Sequence, residues 1–215
     1  MLAKVPAPTG PIDHLPIDGP YLAWTADDGA SPAVITAYAE FVRRVPTIRL
    51  TLFVTGFYDA WTQCAPVLRP LVDEGRIQLA NHTWNHPDLT SLSDGDIVAE
   101  LQRTHDFIWN TYAVDARPFF RPPYGYRNSR VDRAASSIGY SVTTMWYGSL
   151  ADSSYLPPEE IVRLGNEWFT AGRIVIAHLN HDPIIGVMDQ LAGIVQSRSL
   201  IPVTLNDVFS SSVHP

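Results

Sequence analysis

The stretch Tyr21-Leu22-Ala23-Trp24-Thr25-Ala26-Asp27-Asp28-Gly29 joins an apolar run to two adjacent carboxylates and a glycine. The apolar run predicts a buried β-strand, and Gly29 permits the sharp turn that ends it. Successive side chains of a strand point to opposite faces, so Asp27 and Asp28 can have different roles at the strand end. One carboxylate can bind a metal ion while the other holds a proton. Because Asp-Asp-Gly is also ordinary turn chemistry, the rest of the chain must decide between these interpretations.

Apolar, β-rich runs alternate with helical segments on both sides of this stretch. We expect strands at 21–24, 48–54, 77–80, 119–120, 140–147, 173–178 and 201–205. We expect helices near 31–45, 61–74, 93–112, 129–138, 157–172 and 187–198. The alternation predicts an α/β fold, a distorted (β/α) barrel of about seven parallel strands. An open, doubly wound sheet is the alternative.

The length and composition favour one globular domain. A chain of 215 residues can bury a sizeable core, and 46% of its residues are hydrophobic. We expect an irregular lead-in at residues 1–20, which contain five prolines, and a single domain at 21–210. No apolar run approaches the roughly 18 residues of a membrane span. The net charge of −7 argues against a nucleic-acid partner.

The single cysteine, Cys64, excludes an intramolecular disulfide and a thiolate metal cluster. The first residues contain no apolar segment of signal-peptide length, so we expect either a cytoplasmic protein or a mature form without its leader. The sequence makes no prediction of the oligomeric state.

Polar residues follow five of the predicted strands. In parallel α/β folds the carboxyl ends of the strands meet at one edge, where active sites lie. These residues are Asp27-Asp28, the segment 81–87, the segment 121–126, Asp152 and His178. The clustering indicates a functional site at this edge.

The pair His82 and His86 is spaced so that two imidazoles can converge within one turn. Pro87 disfavours helical geometry at His86, which favours a looped turn. Together with Asp28, the pair supplies two imidazoles and one carboxylate with open positions, a pattern typical of a catalytic site for zinc or another divalent ion. Arg121 is expected to need a carboxylate partner. A buried histidine bonded to the backbone is the default interpretation of His178, and His181 is left without a role.

Four motifs, in order along the chain, resemble those of the polysaccharide deacetylases, carbohydrate esterase family 4. Thr25-Ala26-Asp27-Asp28-Gly29 looks like the family's Thr-Phe-Asp-Asp-Gly, and His82-Thr83-Trp84-Asn85-His86 matches its His-Ser/Thr-x-x-His. Arg121-Pro122-Pro123-Tyr124 matches Arg-x-Pro-Tyr, and Ile176-Ala177-His178 resembles the final Leu-x-His. The resemblance spans residues 21–205 and implies the family's distorted barrel of seven or eight βα units.

The resemblance implies that Asp28, His82 and His86 bind one divalent metal ion, with zinc expected and cobalt or another ion as alternatives. It also implies that Asp27 is the general base. Arg121 would pair with Asp27 and keep it ionised.

Further roles follow from the same resemblance. The backbone N–H of Tyr124 would stabilise an oxyanion, and His178 would be the general acid that protonates the leaving amine. Asp152 would hold His178 protonated and oriented. Pro122, Tyr124, Trp84 and Trp146 would contact the substrate.

Two departures from the family pattern concern specificity more than chemistry. Ala26 replaces the usual phenylalanine, which indicates a packing change behind the site. Ser153 stands where the family has a tryptophan that walls the acetyl pocket, and Ser149 stands where its first aspartate would be. Trp146 or Tyr155 is a candidate to refill that wall.

The function that the resemblance implies is metal-dependent hydrolysis of N-acetyl groups on a glycan, such as chitin oligomers or peptidoglycan amino sugars, with release of acetate. Such an enzyme is a hydrolase of carbon–nitrogen bonds other than peptide bonds. The alternatives are an acetyl xylan O-esterase with the same groups, a non-haem iron oxygenase with the same ligands, and a glycan-binding relic without turnover. The family's habit also implies a secreted or cell-envelope location.

Overall fold

The computed structural model describes residues 2–210 of the chain. The strands among these residues are β1 (Val5–Pro6), β2 (Gly10–Ile12), β3 (Tyr21–Asp28), β4 (Leu50–Val54), β5 (Ile77–Asn81), β6 (Phe119–Phe120), β7 (Val142–Thr144), β8 (Ile174–His178), β9 (Ile201–Pro202) and β10 (Phe209–Ser210). The α-helices are α1 (Pro32–Arg44), α2 (Ala60–Gln63), α3 (Ala65–Asp73), α4 (Asp94–Tyr112), α5 (Ser129–Ser136), α6 (Pro158–Trp168), α7 (Met188–Ser197) and α8 (Leu205–Val208).

The main sheet has the strand order β2-β7-β6-β5-β4-β3-β8, with β9 also paired to β3. All of these pairings are parallel. One isolated bridge joins Ser149, after β7, to Ile176 of β8. A second joins His14, after β2, to Arg173, just before β8. These bridges connect the two edges of the sheet. The structure therefore confirms the α/β fold and the distorted barrel, and the open doubly wound sheet does not form.

The side chains of the barrel strands divide between two apolar cores. Trp24 and Ala26 of β3 face the helices, whereas Ala23 of the same strand packs inside the barrel with Phe53 and Phe119. This division follows from the two-residue period of a strand. Because both faces are covered, β4 and β5 are buried along their whole length, as expected for parallel strands.

Local sequence explains where the longer helices begin. Ser31 caps α1 by accepting a hydrogen bond from the Val34 amide, and Pro32 occupies the first turn. Ser93 caps α4 in the same way through the Asp96 amide. These two helix starts agree with the sequence prediction.

Two expectations need correction. Residues 1–20 are not irregular throughout, because β1 and β2 lie there and β2 pairs with β7 in the main sheet. The helix expected at 61–74 is two helices, α2 and α3, which meet at Cys64. Among residues 2–210, no helix combines the length and apolar character needed to cross a membrane.

Candidate active site

Three of the predicted site residues share the interior of the barrel at the carboxyl ends of the strands. Asp27 and His178 are directly paired across β3 and β8. Arg121 follows β6 in the position that continues inward from Phe119, and its backbone amide donates to the carbonyl of Asn81. Regular strand alternation thus brings a carboxylate, a guanidinium and an imidazole to the same edge.

Asp28 lies at the end of β3 with its φ at 76°, which turns its side chain toward the loop after β5. One of its carboxylate oxygens, Oδ1, lies 3.4 Å from Nε2 of His82 and 3.4 Å from Nε2 of His86. The ligand atoms of these three residues all lie within 4.8 Å of one another. The structure therefore brings together the three residues that the sequence predicts as metal ligands.

The chemistry of this triad fits a divalent metal ion. Oδ1 of Asp28 is buried and has no hydrogen-bond partner among the described residues. Ligands about 2.1 Å from a tetrahedral zinc ion lie about 3.4 Å apart, which matches the spacing of Asp28 from each histidine. Three protein ligands leave a position open for water or substrate, as in catalytic zinc sites.

The tautomer of His82 is fixed by the backbone. Its Nδ1 lies 2.7 Å from the carbonyl oxygen of Arg121, and because a carbonyl only accepts, Nδ1 carries the proton and donates. Nε2 is then the nitrogen that faces Asp28. A backbone or carboxylate partner on the remote nitrogen is the usual arrangement of a metal-binding histidine.

The electrostatics of the triad favour metal binding at two of its members. Burial raises the pKa of Asp28, but the close contact with His82, the charges of both histidines and the amide of Asn180 outweigh it and hold the pKa well below its usual value. Burial and the neighbouring His82 lower the pKa of His86. Asp28 is therefore ionised and His86 neutral near pH 7, the forms that bind metal.

The pKa of His82 shifts in the opposite direction to that of His86. Burial lowers the pKa of His82, but the charge of Asp27, the close contact and charge of Asp28 and the contact with the Arg121 carbonyl outweigh burial and raise it overall. A proton on Nε2 therefore competes with a metal ion for the same lone pair.

The loop that carries the histidines is held by hydrogen bonds that replace regular secondary structure. Thr83 and His86 have φ values of 72° and 58°. The Thr83 amide donates to the side chain of Asn81, and the His86 amide donates to the hydroxyl of Thr83.

The same loop is anchored to helix α4. The carboxylate of Glu100 on α4 accepts from the Trp84 and Asn85 amides. The structure thus has the looped turn that Pro87 predicts.

Gly29 is required where the chain leaves the site. Its φ is 100°, and a Cβ there would lie 2.4 Å from the indole of Trp61. That indole donates to the carbonyl of Asp28 at 2.9 Å. Substitution of Gly29 would therefore displace the indole that supports the backbone of Asp28.

Asp27 and Arg121 form a buried ion pair. Nη1 of Arg121 donates to Oδ1 of Asp27 at 2.6 Å, while Nε donates to the carbonyl of Thr144 at 2.9 Å. The guanidinium also lies over the ring of Phe53, 4.1 Å from its centroid. Burial lowers the pKa of Arg121, and the charge and hydrogen bond of Asp27 oppose that shift. The second oxygen of Asp27, Oδ2, lies 3.6 Å from Nε2 of His82 and faces the triad.

His178 contacts a carboxylate, which makes the default interpretation of a backbone-bonded core histidine wrong. Nδ1 of His178 lies 3.1 Å from Oδ1 of Asp152. Burial lowers the pKa of His178, but the Asp152 hydrogen bond and the charges of Asp27, Asp152 and Asp28 outweigh it and raise the pKa. His178 is therefore held in a form able to donate a proton near neutral pH.

The triad, Asp27 and His178 line one cleft with a volume of about 430 Å³. Its walls include three of the predicted substrate-contact residues, the half-buried Trp146, the exposed Tyr124 and Pro122. Ser149 and Ser153 line it as well. Tyr124 has a φ of 60°, and its side chain is 60% exposed. Of the two candidates for refilling the wall, Trp146 lines the cleft and Tyr155 is exposed outside it.

Trp84, which the sequence predicts as a substrate contact, lies outside the cleft. Its indole packs against Gly56, under the guanidinium of Arg103 at 4.0 Å, and meets Phe107 edge-on at 6.0 Å. These contacts place it on the α4 side of the loop, and it is absent from the cleft walls. His181 contacts the carbonyl of Ser153 through Nε2 at 3.3 Å.

Asn180 is a site residue that sequence reasoning missed. Its side chain donates to Oδ2 of Asp28 at 2.7 Å. The signal was weak, because an asparagine two residues after a strand is usual in a turn. Its position beyond His178, on a strand already predicted to end in the site, was the only available indication.

The structure thus has a parallel barrel with a two-histidine, one-carboxylate triad and the Asp27–Arg121 and His178–Asp152 pairs at its carboxyl edge. The sequence profile named polysaccharide deacetylase matches residues 16–143, more than half of the chain. The chain belongs to the polysaccharide deacetylase family. The matched region includes the triad, Asp27 and Arg121, whereas Asp152 and His178 lie beyond it.

Relatives include chitin and peptidoglycan deacetylases. Chitin deacetylase 1 of Saccharomyces cerevisiae is 29% identical over 157 residues, covering 68% of this chain and 48% of the relative. The peptidoglycan-N-acetylglucosamine deacetylase PgdA of Listeria monocytogenes is 25% identical over 192 residues, covering 89% of this chain and 39% of the relative. A bifunctional xylanase/xylan deacetylase of Cellvibrio japonicus is 27% identical, covering 91% of this chain and 28% of the relative. The chain therefore spans less than half the length of each of these relatives.

The fold is also found in a solved structure of similar size. The chitin deacetylase of Colletotrichum lindemuthianum superimposes with a TM-score of 0.84 at 20% identity, covering 96% of this chain and 95% of the other. At that identity the likeness establishes the shared fold alone.

Proposed function

We propose that this chain is a metal-dependent deacetylase that hydrolyses N-acetyl groups of a glycan and releases acetate. One divalent ion, zinc by preference, is held by Asp28, His82 and His86. When bound, the ion polarises the acyl carbonyl and lowers the pKa of the attacking water. The single observation that carries the proposal is the convergence of Oδ1 of Asp28 with Nε2 of both histidines, beside the Asp27–Arg121 and His178–Asp152 pairs, in one cleft.

Asp27 is the general base in this proposal. Arg121 occupies Oδ1, so that Oδ2 is the oxygen available to take a proton from water. The other donors of Arg121 are fixed by Thr144 and Thr25, so the guanidinium holds its orientation through the proton transfer. The buried pair thus keeps a base aimed at the triad without exposing it to solvent.

His178 is the general acid. Its Nδ1 contacts Asp152, which leaves Nε2 as the nitrogen that delivers a proton to the departing amine. Asp27 and His178 are paired across adjacent strands, so the proton acceptor and the proton donor lie on neighbouring positions of the barrel. The backbone N–H of Tyr124 supplies a further donor for the oxyanion.

Trp146, Tyr124 and Pro122 are the substrate contacts of this proposal. Aromatic rings that line a cleft suit the apolar faces of sugar rings. The chitin and peptidoglycan deacetylases among the relatives support an amino-sugar polymer as the substrate, and such a substrate favours a secreted or cell-envelope location.

An O-acetyl ester on xylan is the second candidate, because an ester has the easier leaving group and the Cellvibrio japonicus relative carries that name. A non-haem iron oxygenase fits the triad but leaves the Asp27–Arg121 and His178–Asp152 pairs without a role. A glycan-binding relic would keep the cleft without turnover.

The test is acetate release from N-acetylglucosamine oligomers and from acetylated xylan, with chelator-treated protein before and after addition of zinc or cobalt. We expect release from the amide substrate that depends on the added metal. Faster release from xylan would make the enzyme an esterase. Stoichiometric zinc binding without release from either substrate would contradict the proposal and favour the relic.

A further inference from the structure

The side chain of Asn180 bridges the loop after β3 and the segment after β8. Its Nδ2 donates to Oδ2 of Asp28 at 2.7 Å, and its Oδ1 accepts from the backbone amide of Ala30 at 3.2 Å. The amide orientation is determined by these partners, because an ionised carboxylate only accepts and a backbone N–H only donates. Neither contact survives a flip of the Asn180 amide.

This bridge gives the two oxygens of Asp28 different environments. Oδ2 is hydrogen-bonded to Asn180, whereas Oδ1 is buried without a partner among residues 2–210 and faces His82 and His86. Asp28 therefore presents one oxygen to the triad. Rotation of the carboxylate that brought both oxygens toward the histidines would break the contact with Asn180.

The backbone around Asn180 is itself anchored to the end of β3. The Leu179 amide donates to the Asp27 carbonyl at 2.9 Å, and the Ser31 amide donates to the Leu179 carbonyl at 3.0 Å. These bonds continue the pairing of β3 with β8 past the last paired residues. Asn180 therefore reaches Asp28 from a fixed position, two residues after His178.

We propose that Asn180 is a positioning residue that fixes Asp28 as a one-oxygen metal ligand and thereby strengthens metal binding. The inference rests on the proposed metal site. Partners that orient a ligand typically contribute 10- to 100-fold, roughly, in metal affinity. Asn180 also joins the segment of His178 to a ligand of the triad, so that the acid and the metal site keep one relative position.

The experiment measures the zinc dissociation constant by competition with a chromophoric chelator for the wild type, Asn180→Leu and Asn180→Ala. Asn166→Leu is the matched control, because Asn166 is exposed and its side chain donates to the Val162 carbonyl of its own helix, far from the triad in sequence. Cobalt absorption spectra report the ligand geometry independently of turnover. Thermal unfolding in excess chelator reports the stability of the metal-free fold.

We expect both Asn180 variants to bind zinc about 10- to 100-fold more weakly, with an altered cobalt spectrum. We expect their unfolding midpoints in chelator to stay near that of the wild type and Asn166→Leu to match the wild type throughout. Wild-type zinc affinity and an unchanged cobalt spectrum in either folded Asn180 variant would overturn this inference and leave the proposed metal site in place. Absence of zinc binding by the wild type would overturn the metal site itself and the inference with it.

Discussion

Nη1 of Arg121 donates to Oδ1 of Asp27 at 2.6 Å, and the two side chains are 0% and 2% exposed. Attraction between buried charges repays their desolvation only where the geometry is good and the other donors are satisfied. Arg121 meets that condition through Thr144, Thr25 and Met145. The pair therefore has a structural role beside the catalytic role that we propose for it.

Replacement of Arg121 by methionine should destabilise the fold by about 3–5 kcal/mol, because it leaves the Asp27 carboxylate buried without its cation. Urea unfolding measures the loss. The double variant Asp27→Asn, Arg121→Met should lose less than the sum of the two single variants, since it removes both charges. Additive losses would contradict the coupling of the two residues.

Replacement of Asp152 by asparagine should move the alkaline limb of the pH profile of kcat/KM to lower pH. Asp152 helps raise the pKa of His178, and a general acid works only while it is protonated. In the wild type, activity is therefore lost as the pH rises through a raised pKa, and without the Asp152 charge that pKa falls. Asp189→Asn is the matched control, because Asp189 is exposed and pairs with Arg44. An unmoved alkaline limb in Asp152→Asn would exclude His178 as the acid held by Asp152.

Replacement of Ser153 by tryptophan should narrow the range of acyl groups. Ser153 and Ser149 line the cleft that contains His178, and neither fills it with a ring. We expect the variant to lower the ratio of kcat/KM for an N-propionyl over an N-acetyl substrate by about 10-fold or more, the value of one methylene in a pocket. Tyr155→Trp, in the same loop but outside the cleft, is the control. An unchanged ratio would separate Ser153 from the acyl site.

Replacement of Trp146 by alanine should raise KM for a glycan oligomer, because the indole lines the cleft, and it should also lower kcat, because the Arg121 guanidinium lies over the same ring, 5.6 Å from its centroid. Trp84→Ala is the comparison. Its indole packs on Gly56, Arg103 and Phe107, so we expect lower stability and an unchanged KM. The reverse result would place the sugar on the other side of the histidine loop.

The sequence predicts the strands that carry the site because their apolar runs are continuous and their polar ends are distinct. Asp27, Arg121 and His178 are predicted from their positions at strand ends and from the family motifs, and the triad is predicted from the histidine spacing and the motif order. Trp84 shows the limit of this reasoning, since a loop residue has no period that tells which way it faces. The short strands β1 and β2 were missed because prolines and glycine suppress the strand signal at an edge, where pairing needs few residues.

Asn180 shows a second limit. A hydrogen bond that joins residues 152 positions apart leaves no local pattern in one sequence. The Asp152–His178 contact was predicted only through the resemblance, for the same reason.

The measurement that tests the central claim most directly is acetate release by Asp27→Asn beside its zinc content. Asn keeps the shape of the side chain but removes the proton acceptor, and the three metal ligands remain. We predict a fall in turnover of at least about 10²-fold with zinc content near that of the wild type. Asp28→Asn should instead lose zinc. Unchanged turnover in zinc-loaded Asp27→Asn would contradict the account and remove Asp27 as the base.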